Sequence, residues 1–359
     1  MHSFTSNSND RIRVTHWGRT WIATVLIVLV AIALWNMFWI SHRVYPLPKD
    51  NPDLWVYHRQ RAVNADENVI VFIGASRTQI AIDQQTVRDV TGKESVQLAI
   101  AGESPIPTLR NLAEDDSFRG IVISDLPEVA VYGKDTFEYE LDIKNSVIPL
   151  YNANEWIKSY KKRNLADKLE FRLKGFASSI ICFPSLGKNA PDALYNISTG
   201  KVLDMNKFGL GLIGQQGINT YFDRTLPFGG DTLTEEELKM VHEIQIKMFG
   251  NQYEMDRPTV ERYSVLIKKI EPLVQRIQAR GGKVIFVSYP ISGDIWELNE
   301  KAFPRKQFWN LFASKTSART IHFKDYPQLQ FECPDGSHLD SKDAPAFTKA
   351  LMEIIFGNK

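Results

Sequence analysis

Near the C-terminus, Asp335-Gly336-Ser337-His338 sets a carboxylate and an imidazole three residues apart. Far upstream, Gly74-Ala75-Ser76 follows an apolar run from Val69 to Ile73. Serine is a poor nucleophile until a base removes its proton. Histidine suits that task near neutral pH, and a carboxylate fixes its tautomer and stabilises the imidazolium that forms. Ser76, His338 and Asp335 therefore have the residue types of a triad that moves acyl groups. Arg77, next to the serine, either binds an anionic substrate group or pairs with a carboxylate under the sheet edge. His42, His58, His242 and His322 have no carboxylate three residues earlier and read as surface or core residues.

These side chains need elements to bring them together. Val69–Ile73 reads as a strand buried on both faces, ended by Gly74. Residues 83–90 suggest a helix with Asp83 as N-cap. Ser95–Ile100 is a second strand, closed by Gly102, and Pro107–Glu114 fits a helix. Gly120–Ser124 is a third strand. Val260–Arg280 is an amphipathic helix with Pro272 inside it, followed by a fourth strand over Lys283–Tyr289. Pro304 divides a helical stretch over 297–314. Arg319–Phe323 is a fifth strand, and Ala344–Phe356 a last helix. Alternating strands and helices predict a three-layer αβα sandwich around a five-stranded parallel sheet. Ligands of such sheets sit beyond the carboxyl ends of the strands, where Ser76 and the 335–338 loop both fall. Between about 132 and 256 the alternation lapses, which predicts an insertion or lid. Within it, 155–173 and 234–249 look helical and 203–217 reads as a glycine-containing loop.

Trp21–Ile40 is almost wholly apolar, and about 20 residues suffice to cross a ~30 Å hydrocarbon core. Four tryptophans, at 17, 21, 35 and 39, stand toward its ends. No small-x-small cleavage site follows, so the segment is expected to remain as an anchor over 17–41. Arg11, Arg13 and Arg19 precede it, which favours a cytoplasmic tail at 1–16. Residues 42–67 read as a polar stalk and 68–359 as the main domain, outside the cytoplasm. With 43 basic and 42 acidic residues, the formal net charge of +1 gives no reason to expect a nucleic-acid partner. Cys182 and Cys333 have no metal-ligand spacing and are expected to be buried free thiols.

The blocks Gly74-Ala75-Ser76, Gly102 and Asp335-x-x-His338, in this order, resemble those of the SGNH (GDSL-type) esterase and acyltransferase superfamily. The resemblance covers roughly residues 66–130 and 258–357. It implies a flavodoxin-like sheet, with Ser76 as nucleophile, His338 as base and Asp335 as its orienting partner. It also implies an oxyanion hole from the backbone N–H groups of Ser76 and Gly102, joined by the Ser104 hydroxyl. Two positions depart from the family pattern. Ala75 stands where the family has an aspartate, and Asp125 follows the third strand where it has an asparagine donor. An ionised Asp125 cannot donate a hydrogen bond to an oxyanion, and loss of one such donor lowers rates by ~10²–10³.

One N-terminal anchor with an early serine and a late Asp-x-x-His is similar to membrane-tethered members, such as the D-alanyl transfer protein of teichoic-acid modification. What that resemblance implies is an extracytoplasmic acyl-ester transferase at a bacterial inner membrane. Its expected role is O-acetyl transfer to a cell-envelope polysaccharide. The expected partners are an acyl donor, a glycan or lipid acceptor, and a membrane-bound O-acyltransferase. Neither a metal nor another cofactor is expected. A plain esterase or lipase, and a non-catalytic accessory protein that binds a glycan or a membrane acyltransferase, are the alternatives.

Overall fold

The computed structural model describes residues 17–42, 44–126, 153–182, 220–230, 232–255 and 259–357, with isolated residues between 191 and 199. The expected tail at 1–16 and the loop at 203–217 lie outside the described residues.

Residues Trp17–Ser41 form α1, long and apolar enough to cross a membrane, with mean hydropathy 2.3. Next come α2 (Pro52–Asn64), β1 (Val69–Ile73), α3 (Ser76–Ala81) and α4 (Gln84–Thr91). They are followed by β2 (Glu94–Gln97), α5 (Ile106–Ala113) and β3 (Ile121–Asp125). The middle of the chain supplies α6 (Ala153–Lys162), α7 (Leu165–Ser178) and α8 (Glu235–Met255). The last third contains α9 (Val260–Gln278), β4 (Lys283–Ser288), α10 (Gly293–Ala302) and α11 (Trp309–Lys315), then β5 (Arg319–His322) and α12 (Ala344–Phe356).

All five strands pair in parallel, in the order β2-β1-β3-β4-β5. The apolar runs are strands because both faces of the sheet are covered. Val69, Val71 and Ile73 point into one core with Leu109 of α5, Ile270 and Val274 of α9 and Phe312 of α11. Ile70 and Phe72 point into the opposite core with Val87 of α4, Val241 of α8, and Phe347 and Leu351 of α12. This is the expected layering. The order reverses between β1 and β3, the switch point where ligands of such sheets bind.

The helix signals behave as their chemistry requires. The Asp83 carboxylate caps α4 by accepting from Thr86 N at 2.7 Å. Thr234 and Glu237 form a reciprocal capping box at the start of α8. Helix α9 continues through Pro272, whereas Pro304 falls in the break between α10 and α11.

The reading of 42–67 as a stalk needs correction. Residues 52–64 are helical, and Leu54, Trp55, Val56 and Ala62 lie in the core. Two of its polar residues, His58 and Arg59, are buried as well, because each finds a partner. His58 Nε2 donates to the Phe222 carbonyl at 2.8 Å, and Arg59 contacts Asn111 and Asp115 at 2.7 Å each. Polarity there marks buried hydrogen bonding rather than solvent.

Just before α2, Asp50 receives both Nε and Nη2 of Arg224, at 2.7 and 2.8 Å, and Arg224 Nη1 donates to the Gln97 carbonyl at 2.9 Å. Gln79 of α3 donates to the same carboxylate at 3.1 Å. This buried cluster ties the segment between α1 and α2 to the end of β2 and to the helix that Ser76 begins.

Candidate active site

The chain must turn sharply after β1 to start α3, and Gly74 permits it. Its φ is +156°, and an added Cβ would lie 2.1 Å from Thr78 Oγ1. The turn leaves Ser76 as the first residue of α3, half-buried at the carboxyl edge of the sheet. The loop after β5 reaches the same edge. There Gly336, at φ +82°, lets the chain fold back as Gly336 N donates to the Cys333 carbonyl at 2.9 Å. An added Cβ at Gly336 would meet Ile295 of α10 at 2.7 Å. The loop after β4 holds this turn from below, with Ser292 N donating to the Gly336 carbonyl at 2.9 Å.

Ser76 Oγ donates to His338 Nε2 at 2.7 Å, and His338 Nδ1 donates to Asp335 Oδ2 at 2.7 Å. The other Asp335 oxygen accepts the backbone N–H groups of Ser337 and His338, at 2.9 and 2.7 Å. Asp335 is fully buried, which alone would raise its carboxyl; the charge of His338 and these hydrogen bonds outweigh burial and hold it below the usual carboxylate range. Phe228 stacks at a tilt on the imidazole, centroids 5.1 Å apart. The three residues singled out for acyl chemistry thus meet across 262 positions of sequence.

Two contributors were missed. On α8, Gln245 Nε2 donates to Asp335 Oδ2, and His242 Nδ1 lies 2.9 Å from the Asp335 carbonyl. His242, expected as a surface or core residue, therefore buttresses the turn. The segment read as an insertion or lid supplies part of the site's frame. The available signal was the i, i+3 spacing of His242 and Gln245, which puts them on one face of a helix.

The residues expected for an oxyanion site line the same edge. Gly102 follows β2 with φ +77°. The backbone N–H groups of Ser76 and Gly102 donate to no other group among the described residues. The Ser104 hydroxyl accepts Ile106 N at 3.3 Å at the start of α5, which leaves its O–H to donate elsewhere. Asp125 is fully buried beside Gly74, whose added Cβ would come 3.0 Å from the Asp125 Cβ. It packs against the turn that leads to Ser76. Burial, and then the charge of Asp125, raise the Tyr289 phenol well above its usual value.

Arg77 donates from Nε to Ser337 Oγ at 3.2 Å. Among the described residues no carboxylate lies within 4 Å of it, so the expectation of an ion pair under the sheet edge is not met. A half-buried cation thus stands beside Ser76. Glu103, next to Gly102, is pushed up to about 7 by burial. Cys333 is a buried free thiol, pushed up to about 12 by burial and then by the charge of Asp335, and so is no competing nucleophile. Cys182 is also buried and free. Among the described residues no group of three His, Cys, Asp or Glu side chains is arranged to hold a metal ion.

No family model matches the chain, and no curated protein matches it.

Proposed function

We propose that the protein is a membrane-anchored SGNH-like enzyme that transfers an acyl ester through Ser76. The observation that carries this reading is the unbroken pair of 2.7 Å contacts from Ser76 Oγ to His338 Nε2 and from His338 Nδ1 to Asp335. Ser76 Oγ attacks the acyl carbonyl carbon while His338 takes its proton. Asp335 stabilises the imidazolium. The unused N–H groups of Ser76 and Gly102, with the Ser104 O–H, hydrogen-bond the oxyanion of the tetrahedral intermediate. His338 then protonates the departing alcohol as the C–O bond breaks, which leaves an acyl-serine. In the second half His338 takes a proton from an acceptor hydroxyl, whose oxygen attacks the acyl carbon and frees Ser76.

The chemical roles come from the side chains; the substrate class comes from the resemblance. The acyl group is acetyl, the acceptor a cell-envelope glycan or lipid, and a membrane-bound O-acyltransferase supplies the donor. The domain sits on the extracytoplasmic side of a bacterial inner membrane, with α1 as its single span. Arg77 supports an acceptor or donor that carries negative charge, because nothing else neutralises it among the described residues.

The test uses the full-length protein in detergent with a fluorophosphonate probe. Labelling is expected in the parent and absent in Ser76→Ala and His338→Ala. Equal labelling of parent and Ser76→Ala, or none in a folded parent, overturns the reading. Once labelling is established, acetyl transfer to an oligosaccharide, rather than release of acetate to water, separates a transferase from an esterase.

A further inference from the structure

Helix α7 and the turn that ends it carry an apolar stripe that none of the described residues covers. Leu165, Leu169, Leu173, Phe176 and Ile180 recur at helical spacing and are 44–73% exposed. At 3.6 residues per turn they fall within an arc of about 80°. The opposite side of the helix is fixed to the domain. Phe171 packs on Tyr57 at 5.8 Å, and an added Cβ at Gly175 would enter the Phe222 ring at 2.3 Å. The stripe therefore faces away from the described part of the domain.

The end of this helix is joined to α1. Asn36, a polar interruption in the apolar run, donates Nδ2 to the Ile180 carbonyl at 2.7 Å and accepts Cys182 N at 3.0 Å on Oδ1. Trp35 Nε1 donates to the Cys182 carbonyl at 2.8 Å. Trp39, Val44 and Cys182 form a small apolar cluster beside these bonds. Residue 36 lies five positions from the end of α1, about 8 Å along the axis. The last turn of α7 therefore sits at the depth where a spanning α1 would leave the hydrocarbon. Free backbone groups are costly there, and Asn36 and Trp35 satisfy three of them.

The charge pattern is of the same kind. Residues 153–182 hold seven basic and three acidic side chains. Arg172 and Lys168 extend over the Tyr57 and Tyr160 rings, at 5.6 and 5.8 Å. An apolar face with basic flanks suits the boundary between acyl chains and anionic headgroups.

We propose that α7 lies in the interface of the membrane that α1 crosses, with its Leu/Phe/Ile stripe among the acyl chains of anionic lipid. The proposal rests on α1 being a membrane span and is independent of the chemistry at Ser76. It makes the domain a surface-seated body held at two places rather than one swinging on a tether.

The test places an environment-sensitive fluorophore on single added cysteines of the full-length protein, with Cys182 and Cys333 replaced by alanine. The positions are Leu173→Cys on the stripe, Lys174→Cys on the polar face, and Val28→Cys inside α1. The protein is reconstituted in vesicles of phosphatidylcholine and phosphatidylglycerol that contain brominated lipid. Expected are strong quenching at positions 28 and 173 and at least ~3-fold weaker quenching at 174. Quenching at 28 with equal quenching at 173 and 174 overturns the docking and assigns the stripe to a protein partner. No quenching at 28 overturns the span, and the docking falls with it.

Discussion

Gln245 and His338 donate to the same oxygen of Asp335. One donor comes from a helix in the middle of the chain, the other from the last loop. The carboxylate is thereby held by two parts of the fold that share no strand. Gln245 is a positioning residue, since it touches the orienting group and not the nucleophile. Gln245→Ala is expected to slow fluorophosphonate labelling about 10-fold while Ser76 stays reactive. Gln245→Glu is expected to be worse, because two carboxylates cannot both ionise in one buried site. Labelling rates for parent, Ala and Glu forms check the order; equal rates would remove Gln245 from the site.

Gly74 and Gly102 make a paired prediction. A methyl at Gly74 meets Thr78 at 2.1 Å, whereas nothing lies within 4 Å of one at Gly102. Gly74→Ala should destabilise by about 1–3 kcal/mol and displace Ser76. Gly102→Ala carries only the strain of a positive φ, about 1–2 kcal/mol. Labelling should therefore fall much further in the first than in the second, at comparable denaturation midpoints.

Arg77 predicts substrate discrimination. Arg77→Gln should lower kcat/KM about 10-fold or more for acetyl esters bearing a carboxylate or phosphate. It should leave a neutral aryl acetate nearly unchanged. Equal losses for both ester types would point to a structural role through Ser337.

The Asp50–Arg224 pair predicts a large stability effect. Both side chains are buried, and removal of one leaves the other charged in the interior. Asp50→Ala should destabilise by about 3–5 kcal/mol, read from denaturant unfolding of the detergent-solubilised protein.

Stability against pH should pass through a maximum near neutrality. His58 is lowered to about 3 by burial and then by Arg224, and His322 to about 3 by burial and then by Arg305. Their contribution is complete above the unfolded value of 6.5 and is lost as pH falls toward 3. Glu103 runs the other way. Burial raises it from 4.5 to about 7, so its contribution is complete below 4.5 and is lost as pH rises through 7. Glu103→Gln should abolish the alkaline decline and gain about 2 kcal/mol at pH 8, after discounting for solvent screening. A parent and variant with parallel curves from pH 5 to 8 would contradict this.

The centre of the sheet was legible because β1, β3 and β4 carry short apolar runs covered on both faces. Ser76, Asp335 and His338 were legible because the strand order carries residues at those positions to one edge. Helix α2 was not, because His58 and Arg59 are polar by type and buried by partnership with Phe222, Asn111 and Asp115. Sequence reading assigns such residues to solvent unless the partners are known. Gln245 was overlooked for a related reason: apart from its i, i+3 spacing from His242, an amide has no titration or metal-binding signature of its own. The five apolar residues of α7 stood in plain spacing, but their meaning depends on which face the domain covers.

The contact between Ser76 and His338 spans 262 positions of a 359-residue chain. A ribosome finishes Ser76 long before it reaches His338. Until residue 338 has been made and the last loop has docked against α8, Ser76 is an ordinary alcohol with an ordinary alcohol's reactivity. Under the proposed mechanism, order of synthesis alone therefore withholds the reactive serine from every chain that stops short of His338.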